Sequence, residues 1–263
     1  MIELACNWST ALKNLIETQQ IDVDYIKAGA YGTFENEFDT MRSLKPVLLH
    51  GLGYFEHTGM KNYNRVDFTR VNRLLMECGS PHYGLHMAIE NADMTFPMQE
   101  NEVHDYMTKC IQVFKNNLTV PLLLENTPDS PQEREQFDHF PYAEPEKMNE
   151  LLTANDVGLL LDIAHAKITC QYRGWNIYDF LNALPLERIK EIHANGSGYD
   201  KNGTPTDTHQ AMEQEDFELL AWVLQHASPD TVTLEYSGYG DEDDNTISKN
   251  LYNQLNKLKH MCF

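Results

Sequence analysis

Six short apolar runs in this chain lead into a residue able to bind a metal. Val47-Leu48-Leu49 runs into His50, Gly84-Leu85 into His86, and Leu122-Leu123-Leu124 into Glu125. Leu159-Leu160-Leu161 runs into Asp162, with His165 one helical turn later. Glu191-Ile192 leads to His193, Val232-Thr233-Leu234 leads to Glu235, and Asp207-Thr208-His209 is expected in the loop after His193. Taken singly, a His or Glu at a strand end also serves to cap a helix or bond a loop. The set reads differently, because a carboxylate directly behind three leucines is costly to bury alone, and this happens at both Glu125 and Asp162. Imidazoles and carboxylates gathered in one apolar-walled cup satisfy one another best around divalent cations. The chemistry indicated is that of a metal centre.

Something must gather residues so far apart in sequence. Apolar runs alternate with longer amphipathic stretches, the rhythm of repeated βα units and a parallel sheet. Eight strands are predicted, at 2–6, 25–28, 47–50, 83–86, 121–125, 158–162, 189–193 and 231–235. Helices are predicted over 10–17, 68–78, 103–114, 217–225 and 247–258, where apolar residues recur at three- and four-residue spacing, and over 146–152. The helices after the second and sixth strands are weakly signalled. Residues 130–145, rich in Pro, Glu and Gln, read as a long surface loop, and 196–205 as a second loop with turn chemistry. The expectation is α/β, a single (β/α)8 TIM barrel over residues 1–263. The carboxyl ends of barrel strands converge on one mouth, where barrel enzymes do their chemistry.

The length of 263 residues suits such a barrel, and 41% hydrophobic residues suffice for its core. Forty acidic against twenty basic residues give a formal net charge of −20. A surface of that sign repels phosphate backbones and anionic lipid, which disfavours nucleic acid and membrane as partners. Cys6, Cys78, Cys110, Cys170 and Cys262 are scattered with no Cys-x-x-Cys pair, so they read as free thiols in a reducing compartment. No apolar run approaches the ~18 residues of a membrane span. The N-terminal residues lack the basic and apolar regions of a signal peptide. The expected location is cytoplasmic.

Other residues are expected to play lesser parts. His104, His139, His226 and His260 read as solvated, while His57 and His82 are within possible reach of the mouth. Lys27, near the end of the second strand, is suited either to an anionic substrate group or to a structural ion pair. Tyr54, Tyr199 and Tyr236 read as packing residues beside the ligand candidates. Cys170 and Trp175 have no assigned role, and the run Asp241–Asp244 reads as a solvated acidic turn.

In strand order, the set resembles the xylose-isomerase-like TIM-barrel superfamily. His50, His86, Glu125, Asp162, His165, His193, Asp207, His209 and Glu235 are similar to the nine-ligand trinuclear site of endonuclease IV-like proteins. That resemblance implies that Glu125 bridges two ions, one completed by His50 and His86, the other by Asp162, His193 and Glu235. A third ion would take His165, Asp207 and His209. The sequence also resembles an uncharacterised-domain family whose best-known members are iron-dependent peptide-modifying oxygenases. The wording His50-Gly51-Leu52-Gly53, Leu124-Glu125-Asn126 and Asp207-Thr208-His209 carries that likeness. That family usually has Asn where this chain has His165.

The expected function is therefore a metal-dependent enzyme with two or three divalent ions (Zn, Mn or Fe). The leading expectation is a phosphoester hydrolase of endonuclease IV type on a small, possibly phosphorylated or sugar-like molecule. In it Glu125, Glu235 and Asp162 carry catalysis, Glu125 between the ions and the other two orienting the attacking water. The first alternative is a sugar (phosphate) isomerase or epimerase using one ion with Glu125, Asp162, His193 and Glu235. The second is an iron-dependent oxygenase acting on a peptide.

Overall fold

The computed structural model describes residues 1–29, 34–51, 60, 63–89, 99–136 and 140–262. Its strands are β1 (Glu3–Asn7), β2 (Tyr25–Gly29), β3 (Val47–His50), β4 (Tyr83–His86), β5 (Leu122–Glu125), β6 (Gly158–Asp162), β7 (Ile189–Ala194), β8 (Gly196–Tyr199), β9 (Pro205–Gln210) and β10 (Thr231–Leu234). Eight of them close a parallel barrel in the order β1–β10–β7–β6–β5–β4–β3–β2. Every predicted strand is present, most within one residue of its expected ends. The apolar runs in β5 and β6 are unbroken because a barrel strand is covered by helices outside and side chains inside; Leu122–Leu124 and Leu159–Leu161 are all buried.

The helices are α1 (Thr10–Glu17), α2 (Phe34–Leu44), α3 (Phe68–Cys78), α4 (Glu100–Asn117), α5 (Pro131–Gln136), α6 (Pro145–Asn155), α7 (Ile163–Arg173), α8 (Ile177–Ala183), α9 (Gln214–His226) and α10 (Asp244–Cys262). Local chemistry sets several of their ends. Ser9 and Asp67 cap α1 and α3 by accepting backbone N–H groups. Gly79 ends α3 at φ 67, a left-handed turn that a side chain would resist. No helix among the described residues is long and apolar enough to cross a membrane.

Two expected loops are structured. Within 130–145, α5 forms a short helix. The stretch 196–205 is mostly a hairpin, in which β8 pairs antiparallel with β9. Asp207 and His209 therefore stand on a strand rather than in a loop. Register then does the gathering. His86 pairs laterally with Glu125, and Asp162 with His193. On the other side of β7, Thr233 pairs with His193, and Glu235 stands two residues on, its N–H donating to the Ala194 carbonyl at 3.0 Å.

Candidate metal centre

Glu125 sits at the middle of the mouth, 1% exposed. Its Oε2 lies 2.6 Å from Nε2 of His50 and 2.8 Å from Nε2 of His86. Its Oε1 lies 3.0 Å from Nδ1 of His193. One carboxylate thus turns an oxygen to each side. Gly84 makes room for this arrangement, since a Cβ there would stand 2.5 Å from the His50 ring.

Asp162 does two jobs from one side chain. Its Oδ1 accepts the His165 backbone N–H at 2.8 Å and caps α7. Its Oδ2 is buried without a hydrogen-bond partner. An ionisable oxygen in that position is expensive unless a cation meets it. Asn126 fixes the strand end, its side chain donating to the Asp162 carbonyl and accepting the Asp162 N–H.

His165 follows on α7. Its Nδ1 lies 2.7 Å from the Asn126 carbonyl, an acceptor only, so that nitrogen carries the proton. Nε2 then faces Asp207 Oδ2 at 3.2 Å. The same Asp207 oxygen lies 2.9 Å from Nε2 of His209. His209 holds a left-handed backbone at φ 47, an uncommon conformation for a residue with a side chain. Glu235 turns Oε1 to the Lys27 ammonium and Oε2 to His193 Nδ1 at 3.3 Å. Lys27 is therefore an ion-pair partner inside the mouth, the structural alternative of the two expected for it.

The charges lean on one another. Burial opposes ionisation of Glu125 and Glu235, yet the surrounding imidazoles hold both carboxyls well below the usual range. Burial raises Asp162 to about 7, and nearby Glu235, Glu125 and Asp207 add to the rise. Burial lowers His50 to about 4, helped by the Lys27 charge. Burial works against charge on His193 and His209 too, but Glu235 keeps His193 well above its ordinary value and, with Asp207, brings His209 to about 9.

Among the described residues, two groups of ligand atoms lie within 4.8 Å of one another: His50, His86 and Glu125, and Glu125, Asp162, His193 and Glu235. These donors are all imidazole and carboxylate, a set that suits a divalent first-row metal. The orphaned Asp162 oxygen and the shared Glu125 fit such ions. All nine ligand candidates surround one mouth, with His165, Asp207 and His209 linked as a third group by hydrogen bonds.

The cysteines stand apart, four buried and Cys262 half-buried, with no disulfide. His82 does not reach the mouth; it is buried against Glu191, 2.6 Å away. His104 pairs with Tyr142, and His226 and His260 bond carbonyls of their own helices. Tyr236 is buried, its hydroxyl donating to Glu242, while Tyr199 is exposed. Tyr54, His57 and His139 lie outside the described residues. Sequence reasoning missed Asn126, Asn195, Glu133 and Glu191. Asn195 donates to Asp207 at 3.1 Å. Glu133 on α5 is close enough to feel the charges of His165, Asp207 and His86, and burial raises its carboxyl.

The mouth opens on a cavity of about 390 Å³ walled by Trp8, Met41, Gly29 and Ser237. Its imidazoles and carboxylates suit a metal ion, and sequence comparison supplies the family. The sequence model of the RiPP precursor modification enzymes MbnB/TglH/ChrH matches residues 11–261. The chain belongs to the MbnB/TglH/ChrH family. A UPF0276 protein of Acaryochloris marina is 29% identical over 208 residues, covering 75% of this chain and 72% of that one. One from Vibrio vulnificus is 27% identical over 139 residues, covering 48% of this chain and 46% of its own. Among solved structures, the IolI protein with a binding zinc atom superposes at a TM-score of 0.64 with 14% identity, over 100% of this chain and 99% of that chain. An L-ribulose 3-epimerase superposes at 0.60 with 11% identity, over 99% and 96%. These likenesses show the xylose-isomerase-like TIM barrel.

Membership in MbnB/TglH/ChrH corrects one expectation. The family modifies peptide precursors, so the small phosphorylated or sugar-like substrate is set aside. The charge argument behind it limited long polyanions and said nothing about peptides.

Proposed function

We propose that this member of the MbnB/TglH/ChrH family is an iron-dependent oxygenase that oxidises a precursor peptide, with Glu125 common to the two residue groups that would hold its metal. The match over residues 11–261 carries the reading, since it supplies the substrate class that the site geometry leaves open. It replaces the phosphoester hydrolase as the leading account. His50, His86 and Glu125 would hold one iron; Glu125, Asp162, His193 and Glu235 would hold the other. Bound iron supplies the electron transfer to dioxygen that no side chain of this chain provides.

The protein's own residues set the rest. Lys27 neutralises one oxygen of Glu235 and leaves the other facing the mouth, so that carboxylate keeps a fixed orientation. His165, Asp207 and His209 form a hydrogen-bonded group at the outer side. His209 is 42% exposed, and its Nε2 can hold a proton beside Asp207 and release it toward the cavity. Trp8 and Met41 give the cavity apolar walls that exclude water from a bound side chain. A volume of this order accommodates a residue or two of a peptide, with the remainder of the chain outside.

The test is dioxygen consumption by the iron-loaded protein with peptides encoded beside its gene, read with mass spectrometry of the peptide. Uptake that requires both peptide and iron supports the proposal. Hydrolysis of a phosphoester, or exchange of a substrate proton without oxygen uptake, contradicts it.

A further inference from the structure

Below the mouth, the barrel interior holds a second layer of polar side chains with no part in the reading above. Glu191 on β7 stands two residues before His193, so both side chains point to the barrel interior, one layer apart. It is 2% exposed, and three groups converge on it. His82, entering β4, places Nε2 2.6 Å from Oε2. Thr233 on β10 donates its hydroxyl to Oε1 at 2.5 Å. Nε2 of His193 faces that same Oε1 at 3.3 Å, while making no well-directed hydrogen bond of its own. The other nitrogen of the His193 ring, Nδ1, faces Glu125 and Glu235 in the mouth. Ser80 braces the layer from below, donating to the His82 carbonyl and accepting the Leu49 N–H.

We propose that Glu191, anchored by His82 and Thr233, is the positioning residue that keeps the Nε2 proton of His193 toward the barrel floor and its bare Nδ1 toward the ligand group. The inference rests on the assignment of His193 as a metal ligand. A ligating Nδ1 must be bare, so the one hydrogen of the neutral ring then sits on Nε2, where the Glu191 carboxylate 3.3 Å away can only accept. A carboxylate behind a ligating imidazole fixes its tautomer and raises its basicity, and loss of such a partner lowers metal affinity roughly 10–100-fold. Buried Glu191 ligates nothing in the mouth and is too deep to meet a peptide.

Zn²⁺ is the probe, added to the full chain after chelator treatment, with affinity read by chelator competition. The unsubstituted chain is expected to bind two ions. Glu191→Gln keeps the shape and loses the charge; binding of one ion should weaken roughly 10–100-fold while the other is unchanged. In the Zn²⁺-loaded unsubstituted chain, ¹H–¹⁵N spectra should show one ring protonated at Nε2 and bound through Nδ1, a signal absent from His193→Gln and shifted by Glu191→Gln. A role limited to filling the barrel floor leaves that signal and both affinities in place, which overturns the proposal while sparing the metal site. Failure of the unsubstituted chain to bind Zn²⁺ overturns both. If Glu191→Gln does not fold, Thr233→Val is read instead, because it removes only the hydroxyl that anchors Oε1. A weaker second ion supports the assignment, and unchanged binding refutes it.

Discussion

Oε2 of Glu125 lies 2.6 Å from Nε2 of His50, deep in the barrel mouth where neither residue is more than 5% exposed. The other oxygen of Glu125 is turned away, toward His193. A carboxylate divided in this way is shared by two ligand groups, so its loss should damage both. Glu125→Gln is expected to reduce bound metal from two ions toward none and peptide oxidation by about 100-fold or more. Elemental analysis of the purified variant checks the first effect, and product mass spectrometry the second.

Asp162 separates a structural task from a ligand task. Asn at this position still accepts the His165 N–H, so Asp162→Asn should fold with nearly unchanged stability while losing affinity for one ion. Asp162→Ala should lose the affinity and, in addition, about 1 kcal/mol from the missing helix cap. Paired urea melts and metal titrations on the two variants measure the difference.

Lys27 is buried beside Glu235, and its ammonium keeps its charge against the pull of burial because Glu235, Glu125 and Glu191 surround it. Lys27→Met strands a buried carboxylate. The chelator-treated variant should be less stable than its parent by about 3 kcal/mol, and metal should restore part of that loss. Melting temperatures with and without metal give the comparison.

Asp129 is fully buried and paired with Arg134 at 2.7 Å and with Arg173. Burial pushes its carboxyl up, but the two guanidiniums outweigh burial and hold it below the usual value. A depressed folded pKa adds stability above the unfolded value of about 3.9, and that stability is lost as pH falls through the folded pKa. Urea midpoints should therefore decline below about pH 4, and Asp129→Asn should flatten that decline while lowering the midpoint at neutral pH.

The barrel and its mouth were legible because six of the eight barrel strands lead into a side chain that burial alone would not tolerate. Other parts left weaker traces. Helix α7 is buried around most of its circumference, from Ile163 through Cys170, so it shows no polar stripe to mark its period. The β8–β9 hairpin is half-buried along all of β9 and carries Gly196 and Gly198 in β8, so no apolar alternation announces it, and its β-branched residues, Thr206 and Thr208, are polar. A Cβ at Gly196 would stand 2.5 Å from the Ala211 carbonyl oxygen, so the glycine that blurs the strand is what lets it pack. Glu191 was hidden between Lys190 and Ile192 as an ordinary polar strand residue. Its one signal is the two-residue step to His193, which puts both inside the barrel. The substrate was not legible at all, since ligand spacing describes a metal and not the molecule brought to it.

The most direct test is a crystal structure of the iron-loaded chain with anomalous diffraction collected at the iron edge. Two iron peaks are expected to flank the Glu125 carboxylate, one beside His50 and His86 and the other beside Asp162, His193 and Glu235. A single peak, or density with no iron in contact with Glu125, would contradict it.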